Sequence, residues 1–387
     1  MSAVKELDQT YIAGTYKRFP VTIISGQGST VTDENGKEYI DLGSGIAVNS
    51  FGVADPVWQA SVALQAAKVQ HTCNLYYSEP CALLAQMLCE KTGLTKVFFS
   101  NSGAEANECA IKVARKYAAD KYGPERFTII TLNNSFHGRT LTTLAATGQE
   151  HFHELFQPLT PGFVHAEPGD LDEVKRLAEA HNAAAVMIEC VQGEGGVVPL
   201  DADYVKGLAA YAKERDMLLL VDEVQTGNGR TGQLYAYMNY GIEPDVVSTA
   251  KGLAGGLPLG ATMLSEKVQD VLGYGDHGST FGGNPVCCAA ALSILHRIDD
   301  TLLAEVREKS EFLFQTFTGA PGIESVAGMG LMLGLKTTKP VGEVVSACIE
   351  RGVLCLTAKD KLRLLPALNI PMELLKQAAE VIKDCCK

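Results

Sequence analysis

The chain has 387 residues, of which 46% are hydrophobic and 20% are charged, a composition typical of a globular protein long enough for two domains. Its formal net charge of −12 excludes a general binder of nucleic-acid phosphates, which would carry a basic surface. Residues 1–20 lack the apolar core of a signal peptide, and no later stretch reaches membrane-spanning length without charges or glycines. We therefore expect neither nucleic acid nor a membrane as a partner.

The cysteines and histidines indicate a protein without disulfides or metal. Eleven cysteines contain no C-x-x-C pair and follow no secretory segment, so we interpret them as reduced thiols in small apolar positions of a cytoplasmic protein. The eight histidines form no His-x-x-x-His pair with a glutamate. We predict no metal site.

The first elements in chain order are a hairpin and a helix. Extended residues on both sides of Asn35-Gly36 predict a β-hairpin over 29–40. Asp55-Pro56 begins an apolar pattern with three- and four-residue spacing, which predicts a helix over 55–68.

The middle of the chain alternates short apolar runs with helical stretches, which is typical of a mainly parallel sheet covered by helices. The predicted strands are 96–99, 127–132, 183–188, 217–221, 246–249 and 261–264. The predicted helices include 104–122, 171–181 and 202–215. We predict an α/β fold with a large, mainly parallel sheet.

The C-terminal part changes character. Helices are predicted at 286–299 and 302–317, followed by strand-like runs at 331–335 and 362–365. This pattern predicts a smaller α+β domain. The predicted division is an N-terminal arm and small sheet over 1–50, a large α/β domain over 51–283 and the small domain over 284–387.

An acid and a lysine end two neighbouring predicted strands. Asp222 follows the run LLLV, and Lys251 follows VVSTA some thirty residues later. Pyridoxal phosphate (PLP) needs a lysine that bonds to its aldehyde and a carboxylate that keeps its pyridine nitrogen protonated. A surface lysine and a salt-bridged acid are the simpler alternative, but burial at a strand end favours a cationic partner for the acid.

Other strand ends carry groups that fit the same ligand. Gly103 and Ala104 open a helix, and their backbone N–H groups could bind a phosphate, although a plain helix cap is the alternative. Phe136 could stack on a planar ring, and Arg139 could grip a carboxylate, unless both belong to an ordinary surface loop. The turn GEGG places Glu194 among glycines, which favours a functional acid there.

Two further segments complete the candidate site. After Asp222, Val224 could pack on the other face of the ring and Gln225 could bond to its phenolic oxygen. The glycine-rich loop GSTFGGNP carries the hydroxyls of Ser279 and Thr280, which could contact phosphate and substrate.

Taken together, these motifs resemble the class III, fold-type I PLP aminotransferases over nearly the whole chain. The segments that carry the resemblance are, in order, DLGSGIAVN at 41–49, HTCNLYY at 71–77, NSGAEAN at 101–107, FHGRT at 136–140, VQGEGG at 191–196, DEVQTG at 222–227, AKG at 250–252 and HGSTFGGNP at 277–285. Each is weak alone, but their order is specific.

The resemblance implies a role for each candidate residue. Lys251 bonds to the cofactor, Asp222 pairs with the pyridine nitrogen, and Gln225 contacts the ring oxygen. The ring lies between Phe136 and Val224, with its phosphate on Gly103 and Ala104. For the substrate, Arg139 binds the α-carboxylate, while Arg363 binds the second carboxylate of 2-oxoglutarate and otherwise pairs with Glu194. Thr280 is expected to reach the other subunit's cofactor, with Ser279 near the substrate, so that a homodimer shares its sites.

The expected reaction transfers the terminal amine of N-acetylornithine to 2-oxoglutarate, giving N-acetylglutamate 5-semialdehyde and glutamate on the route to arginine. Succinylornithine, succinyldiaminopimelate, ornithine or 4-aminobutyrate remain alternative donors, because the motifs read the cofactor and carboxylates better than the acyl group. A PLP aminomutase remains an alternative from another reaction class. A catalytically silent protein of this fold is a third.

Overall fold

The structure is a computed structural model and describes residues 3–387. Its strands are β1 Ile23–Gln27, β2 Thr30–Asp33, β3 Glu38–Asp41, β4 Lys96–Ser100, β5 Ile129–Leu132, β6 Phe163–Ala166, β7 Ala185–Ile188, β8 Val191–Gln192, β9 Val198–Pro199, β10 Leu218–Asp222, β11 Val246–Thr249, β12 Gly260–Leu264, β13 Ile323–Met329, β14 Met332–Thr337, β15 Val353–Leu354, β16 Leu356–Ala358 and β17 Lys361–Leu364.

Its helices are α1 Ala3–Tyr11, α2 Ser44–Ala47, α3 Pro56–Lys68, α4 Glu79–Thr92, α5 Gly103–Tyr122, α6 Leu141–Ala146, α7 Leu171–His181, α8 Ala202–Glu214, α9 Tyr237–Tyr240, α10 Pro285–Leu295, α11 Asp300–Phe317, α12 Val341–Glu350 and α13 Met372–Cys386. Short 3-10 turns lie at Glu150–Phe152 and Lys251–Leu253. Within residues 3–387, none of these helices has the length and apolar character needed to cross a membrane.

The large sheet has seven strands in the order β4-β12-β11-β10-β7-β5-β6. The neighbours from β11 to β6 are parallel, whereas β12 runs antiparallel to both β11 and β4. Strands β5, β7, β10, β11 and β12 are buried along their whole length, which explains why most of their residues are apolar. The predicted α/β fold with a large, mainly parallel sheet is confirmed.

The register of two central strands brings the candidate acid and lysine together. In the pairing of β10 with β11, Asp222 lies opposite Ser248. Because the strands are parallel, the loops that follow them leave the sheet at the same edge, and Lys251 comes three residues after Ser248. The sheet therefore delivers both groups to one place.

Besides the large sheet there are two four-stranded sheets and the two-stranded pair β8-β9. The N-terminal hairpin joins a sheet of order β1-β2-β3-β15, whose last strand comes from the C-terminal part. Lys37 Nζ reinforces this junction by donating to the carbonyl oxygen of Ile349 at 3.0 Å, 312 residues away along the chain. The second sheet has the order β13-β14-β17-β16 and carries Arg363 on β17. The division at residues 50 and 283 stays a prediction.

The predicted end of one helix lies four residues too late, and the cause is a cap of the next helix. The helix predicted over 286–299 ends as α10 at Leu295. Asp299 is instead the N-cap of α11, because its side chain accepts a hydrogen bond from Leu302 N at 2.9 Å. The break between the two helices therefore lies at 296–299 and not at 300–301, where it was predicted.

Candidate active site

Lys251 stands where β11 runs into a glycine-rich turn. Its φ of +46° is left-handed, a conformation that costs a non-glycine residue about 1–2 kcal/mol. The turn is held in place because Ser50 Oγ donates to the carbonyl oxygen of Gly252 at 3.0 Å. Burial lowers the pKa of the Lys251 amine to about 8, and the positive charge of Arg363 acts in the same direction. A lysine in this state supplies a nucleophilic neutral amine near neutral pH.

Asp222 is the buried carboxylate at the end of β10. Its Oδ2 accepts hydrogen bonds from Asn107 Nδ2 at 2.7 Å and from His137 Nδ1 at 2.8 Å. Its Oδ1 accepts from Val224 N at 2.9 Å. Asn107 is oriented in turn by Ser248, whose Oγ donates to Asn107 Oδ1 at 2.5 Å. This network fixes the carboxylate and gives both of its oxygens hydrogen-bond donors in a buried position.

Sequence reasoning did not assign roles to Asn107 and His137, although both lie inside motifs that carried the resemblance. His137 is 2% exposed and Asn107 is 1% exposed. Asn107 donates to Asp222 from α5, and His137 donates to it from the loop after β5. Because these segments are far apart in the sequence, their shared partner is visible only in the three-dimensional structure. A histidine that is buried directly after Phe136 needs a polar partner, and this need is the signal that could have suggested a role for His137.

A cavity of about 470 Å³ opens at this edge of the sheet. Its lining includes eight of the candidate residues, namely Gly103, Ala104, Phe136, Arg139, Asp222, Val224, Gln225 and Lys251. The volume lies in the range of small-molecule and cofactor sites. The structure thus brings together residues that the sequence places on four separate segments.

The phosphate-site candidates lie at the first turn of α5. Ser102 is its N-cap and accepts a hydrogen bond from Glu105 N at 3.2 Å. A Cβ on Gly103 would lie 2.6 Å from Val224 Cγ1, so glycine is required where this helix start meets the loop after β10. The helix start faces the cavity with free backbone N–H groups, as anion sites at helix N-termini do.

Arg139 is exposed at the rim of the cavity and rests on aromatic rings. Its guanidinium carbon lies 4.5 Å from the centre of the Phe152 ring and 5.7 Å from that of Phe136. This cation–π contact limits the directions in which Arg139 can point. The arginine remains free of carboxylate partners among the described ion pairs, which suits a substrate ligand.

Glu194 and Arg363 form the ion pair that was predicted from the resemblance. Arg363 Nη1 lies 2.5 Å from Glu194 Oε1 and also donates to Gln225 Oε1 at 3.1 Å. Gln225 Nε2 donates to Glu194 Oε1 at 3.3 Å and closes a three-membered group. Burial opposes ionisation of Glu194, but Arg363 holds the pKa of its carboxyl below the usual value.

Glu189, which the sequence reasoning passed over, is a second buried acid at the cavity. It follows directly after β7 and accepts hydrogen bonds from Phe136 N at 2.9 Å and Gly193 N at 3.2 Å. Burial raises the pKa of its carboxyl to about 7, and the negative charge of Asp222 adds to this effect.

Ser279 and Thr280 lie on a loop beside the cavity. Ser279 Oγ accepts from Asn101 Nδ2 at 3.1 Å, and Asn101 lines the cavity. Thr280 is exposed and does not line the cavity of its own chain. Large apolar side chains around this loop are also exposed. Tyr274 and Phe281 are close to Thr280 in the sequence, and Leu75 and Tyr77 follow Asn74, whose side chain donates to the carbonyl oxygen of Ser279.

Comparisons with known proteins show which family the chain belongs to. A family model described as aminotransferase class-III matches residues 11–386. The acetylornithine aminotransferase of Haemophilus ducreyi is 50% identical over 381 residues, which cover 98% of this chain and 97% of that protein. The acetylornithine aminotransferase of Methanocaldococcus jannaschii is 42% identical, covering 95% of this chain and 94% of the relative.

Solved structures of the same kind superpose closely. The ornithine aminotransferase from Toxoplasma gondii ME49 has a TM-score of 0.95 at 31% identity and covers 99% of this chain and 94% of that one. The N-acetylornithine aminotransferase from Stenotrophomonas maltophilia K279a has a TM-score of 0.85 at 34% identity, covering 98% and 97%. A lysine and a carboxylate at adjacent strand ends, within a fold shared with these proteins, place the chain in the class III aminotransferases, a family of PLP-dependent enzymes.

Proposed function

We propose that this aminotransferase moves the terminal amine of N-acetylornithine to 2-oxoglutarate, giving N-acetylglutamate 5-semialdehyde and glutamate in arginine biosynthesis. The observation that carries the proposal is the Glu194–Arg363 pair beside Lys251. A donor with a neutral side arm leaves the pair closed, whereas a diacid acceptor takes Arg363 for its second carboxylate. The names of the relatives at 42–50% identity support the same donor.

The residues at the cavity fit PLP, which supplies an electron-accepting ring when bound. Lys251 offers an amine whose pKa is about 8, and Asp222 offers a buried carboxylate for the pyridine nitrogen. We assign the phosphate to Gly103 and Ala104, the ring faces to Phe136 and Val224, and the phenolic oxygen to Gln225.

The chain's own groups then account for proton transfer and substrate binding. With PLP and substrate bound, Lys251 Nζ would take the proton that leaves the substrate carbon bearing the amine, because its lowered pKa makes the neutral amine accessible near neutral pH. Arg139 holds the substrate's α-carboxylate at the rim. Asp222, fixed by Asn107 and His137, would hold the pyridine nitrogen of bound PLP.

We further propose that the enzyme is a homodimer with shared active sites. Thr280 is exposed and lies outside the cavity of its own chain, and the apolar side chains around it are exposed as well. An obligate interface would bury this surface and bring Thr280 to the partner's cofactor phosphate, with Ser279 near the substrate.

We propose the cytoplasm as the location. All eleven cysteines are unpaired in the structure, and ten of them are buried or half-buried. Free thiols in this number fit a reducing compartment.

Ornithine is the second candidate donor, because solved ornithine aminotransferases share this fold with TM-scores of 0.94 and 0.95. Succinylornithine, succinyldiaminopimelate and 4-aminobutyrate rank after ornithine as donors, and the aminomutase reaction is the remaining alternative. The Glu194–Arg363 pair argues for two alternating substrates, which an aminomutase does not need.

The decisive experiment is the absorbance spectrum of the purified protein before and after addition of N-acetylornithine, and then of 2-oxoglutarate. We expect the band of the lysine-bound cofactor to disappear with the donor and to return with the acceptor. Lys251→Ala should lose this band together with turnover. A band that responds to ornithine and not to N-acetylornithine would replace the proposed donor, and normal turnover in Lys251→Ala would contradict the site assignment.

A further inference from the structure

Glu189 ties together two loops that approach the cavity from different strands. One carboxylate oxygen accepts from Phe136 N, in the loop after β5, and the other accepts from Gly193 N, in the turn after β8. The side chain lines the cavity, and the residue is only 5% exposed. An apolar side chain of similar size would leave both N–H groups without these partners, at a cost that buried donors rarely bear.

The turn that Glu189 holds is the one that carries Glu194. Its other anchor is Gln192, whose Nε2 donates to the carbonyl oxygen of Asn133 at 2.8 Å. On its opposite side the turn is pressed against Gln225, since a Cβ on Gly193 would lie 2.6 Å from Gln225 Oε1. The backbone just before Glu194 is therefore held by the bond from Gly193 N to the Glu189 carboxylate, while Arg363 and Gln225 hold the Glu194 carboxylate itself.

We propose that Glu189 is a positioning residue that fixes Glu194 against Arg363 and so maintains the preference for donors with a neutral side arm. The inference rests on the proposed function, because it assigns a cause to the alternation between neutral donor and diacid acceptor at the same site.

The consequence follows from the surroundings of Arg363. This residue is 3% exposed, so a neutral donor leaves its guanidinium without a counterion unless Glu194 is in place. A diacid brings its own carboxylate and competes with Glu194 for Arg363. Loosening the Glu194 turn should therefore impair use of the neutral donor while leaving diacid binding intact or improving it.

The test compares Glu189→Gln with Glu223→Gln in the holoenzyme. Glu223 is a matched control because it is equally buried, its pKa is likewise raised to about 7 by burial, and its carboxylate also accepts a backbone hydrogen bond, from Tyr237 N. It does not line the cavity. Two quantities are measured for each variant: kcat/KM for N-acetylornithine and the dissociation constant of glutarate, a diacid that has no group to react.

For Glu189→Gln we expect kcat/KM for N-acetylornithine to fall about tenfold, because a turn that is no longer held at Gly193 N keeps Glu194 against Arg363 for less of the time. The glutarate dissociation constant should stay unchanged or fall. Glu223→Gln should change the melting temperature without changing either quantity. The inference is overturned if Glu189→Gln behaves as Glu223→Gln does, or if it weakens donor use and glutarate binding by the same factor.

Gly193→Ala provides a second route to the same displacement, because the added methyl group does not fit beside the Gln225 side chain, so that the turn and this side chain must move apart while Glu189 stays intact. It should show the same split between donor and diacid, and an equal loss of both would count against the inference. Wild-type turnover separates this result from the proposed function. If the wild type does not accept N-acetylornithine, the proposed function fails, and the Glu189 comparison is made with the amine that it does accept and with glutarate.

Discussion

The state of a single amine sets the chemistry that Lys251 can perform. In water a lysine amine is almost fully protonated at pH 7, with a pKa near 10.4. Here burial brings the pKa down to about 8, while Glu194, Asp222 and Glu189 oppose the shift through their negative charge. The neutral form is thus accessible near neutral pH, although the site is rich in carboxylates.

This pKa predicts how fast the cofactor-free enzyme captures PLP. A lowered lysine pKa means that the neutral amine accumulates as pH rises, from about a tenth of molecules at pH 7 to about nine-tenths at pH 9. The rate constant for the return of the absorbance band should rise through pH 8 and then level off. A rate that keeps rising towards pH 10.5 would show that the lysine is not perturbed. Stopped-flow absorbance after mixing with PLP measures this rate.

For single residues, the sequence alone predicted those whose proposed role depends on the chemistry of their own side chain. Lys251 and Asp222 could be identified because each ends an apolar run in which a charge needs a reason. Glu189 could not, because its two hydrogen-bond partners are 53 residues before it and four residues after it, and both are backbone groups. Backbone donors leave no signature in the sequence.

The start of α5 shows how one element depends on another. Gly103 leaves room for Val224, which belongs to the loop after β10 and faces the cavity. Any side chain at this position must displace either the first turn of the helix or Val224. The proposed phosphate site and one proposed ring contact therefore depend on a single missing Cβ.

Gly103→Ala should accordingly weaken PLP binding by tenfold or more and lower the free energy of unfolding by about 1–3 kcal/mol, the usual cost of overpacking. The control is Gly342→Ala in α12, where a Cβ would meet nothing within 4 Å and the change should be neutral or slightly stabilising. Cofactor titration and urea unfolding measure the two quantities. Unchanged PLP affinity in Gly103→Ala would separate this helix start from the phosphate.

Elements were predictable where burial governs composition. The buried strands β7, β10 and β11 stand out as apolar runs, and the structure shifts their ends by at most two residues. The edge strand β6 was not predicted, because the sequence FVHA is half exposed and its histidine interrupts the apolar pattern. Strand β13 was missed for a similar reason, since all but one of its residues retain some solvent exposure.

For the whole molecule, the proposed shared site predicts complementation between two defective subunits. Lys251→Ala destroys the site of its own chain, and Thr280→Ala damages the site of its partner. In a mixed dimer, the chain with Thr280→Ala keeps Lys251 and receives an intact Thr280, so one site recovers. Turnover should therefore rise when the two variants are unfolded, mixed and refolded together. Each variant refolded alone is the control, and no rise on mixing would place the action of Thr280 within its own chain.

The N-terminal sheet has a further consequence, for synthesis of the chain. Strands β1 to β3 emerge from the ribosome first, whereas β15, which pairs with β3, is made only near the end of synthesis. The carbonyl oxygen that accepts from Lys37 likewise lies 312 residues later in the chain. At ordinary rates of translation this delay is roughly 15 to 60 s. During that time the exposed edge of β3 has no native partner, so the nascent chain needs protection from pairing with its neighbours on the same messenger RNA.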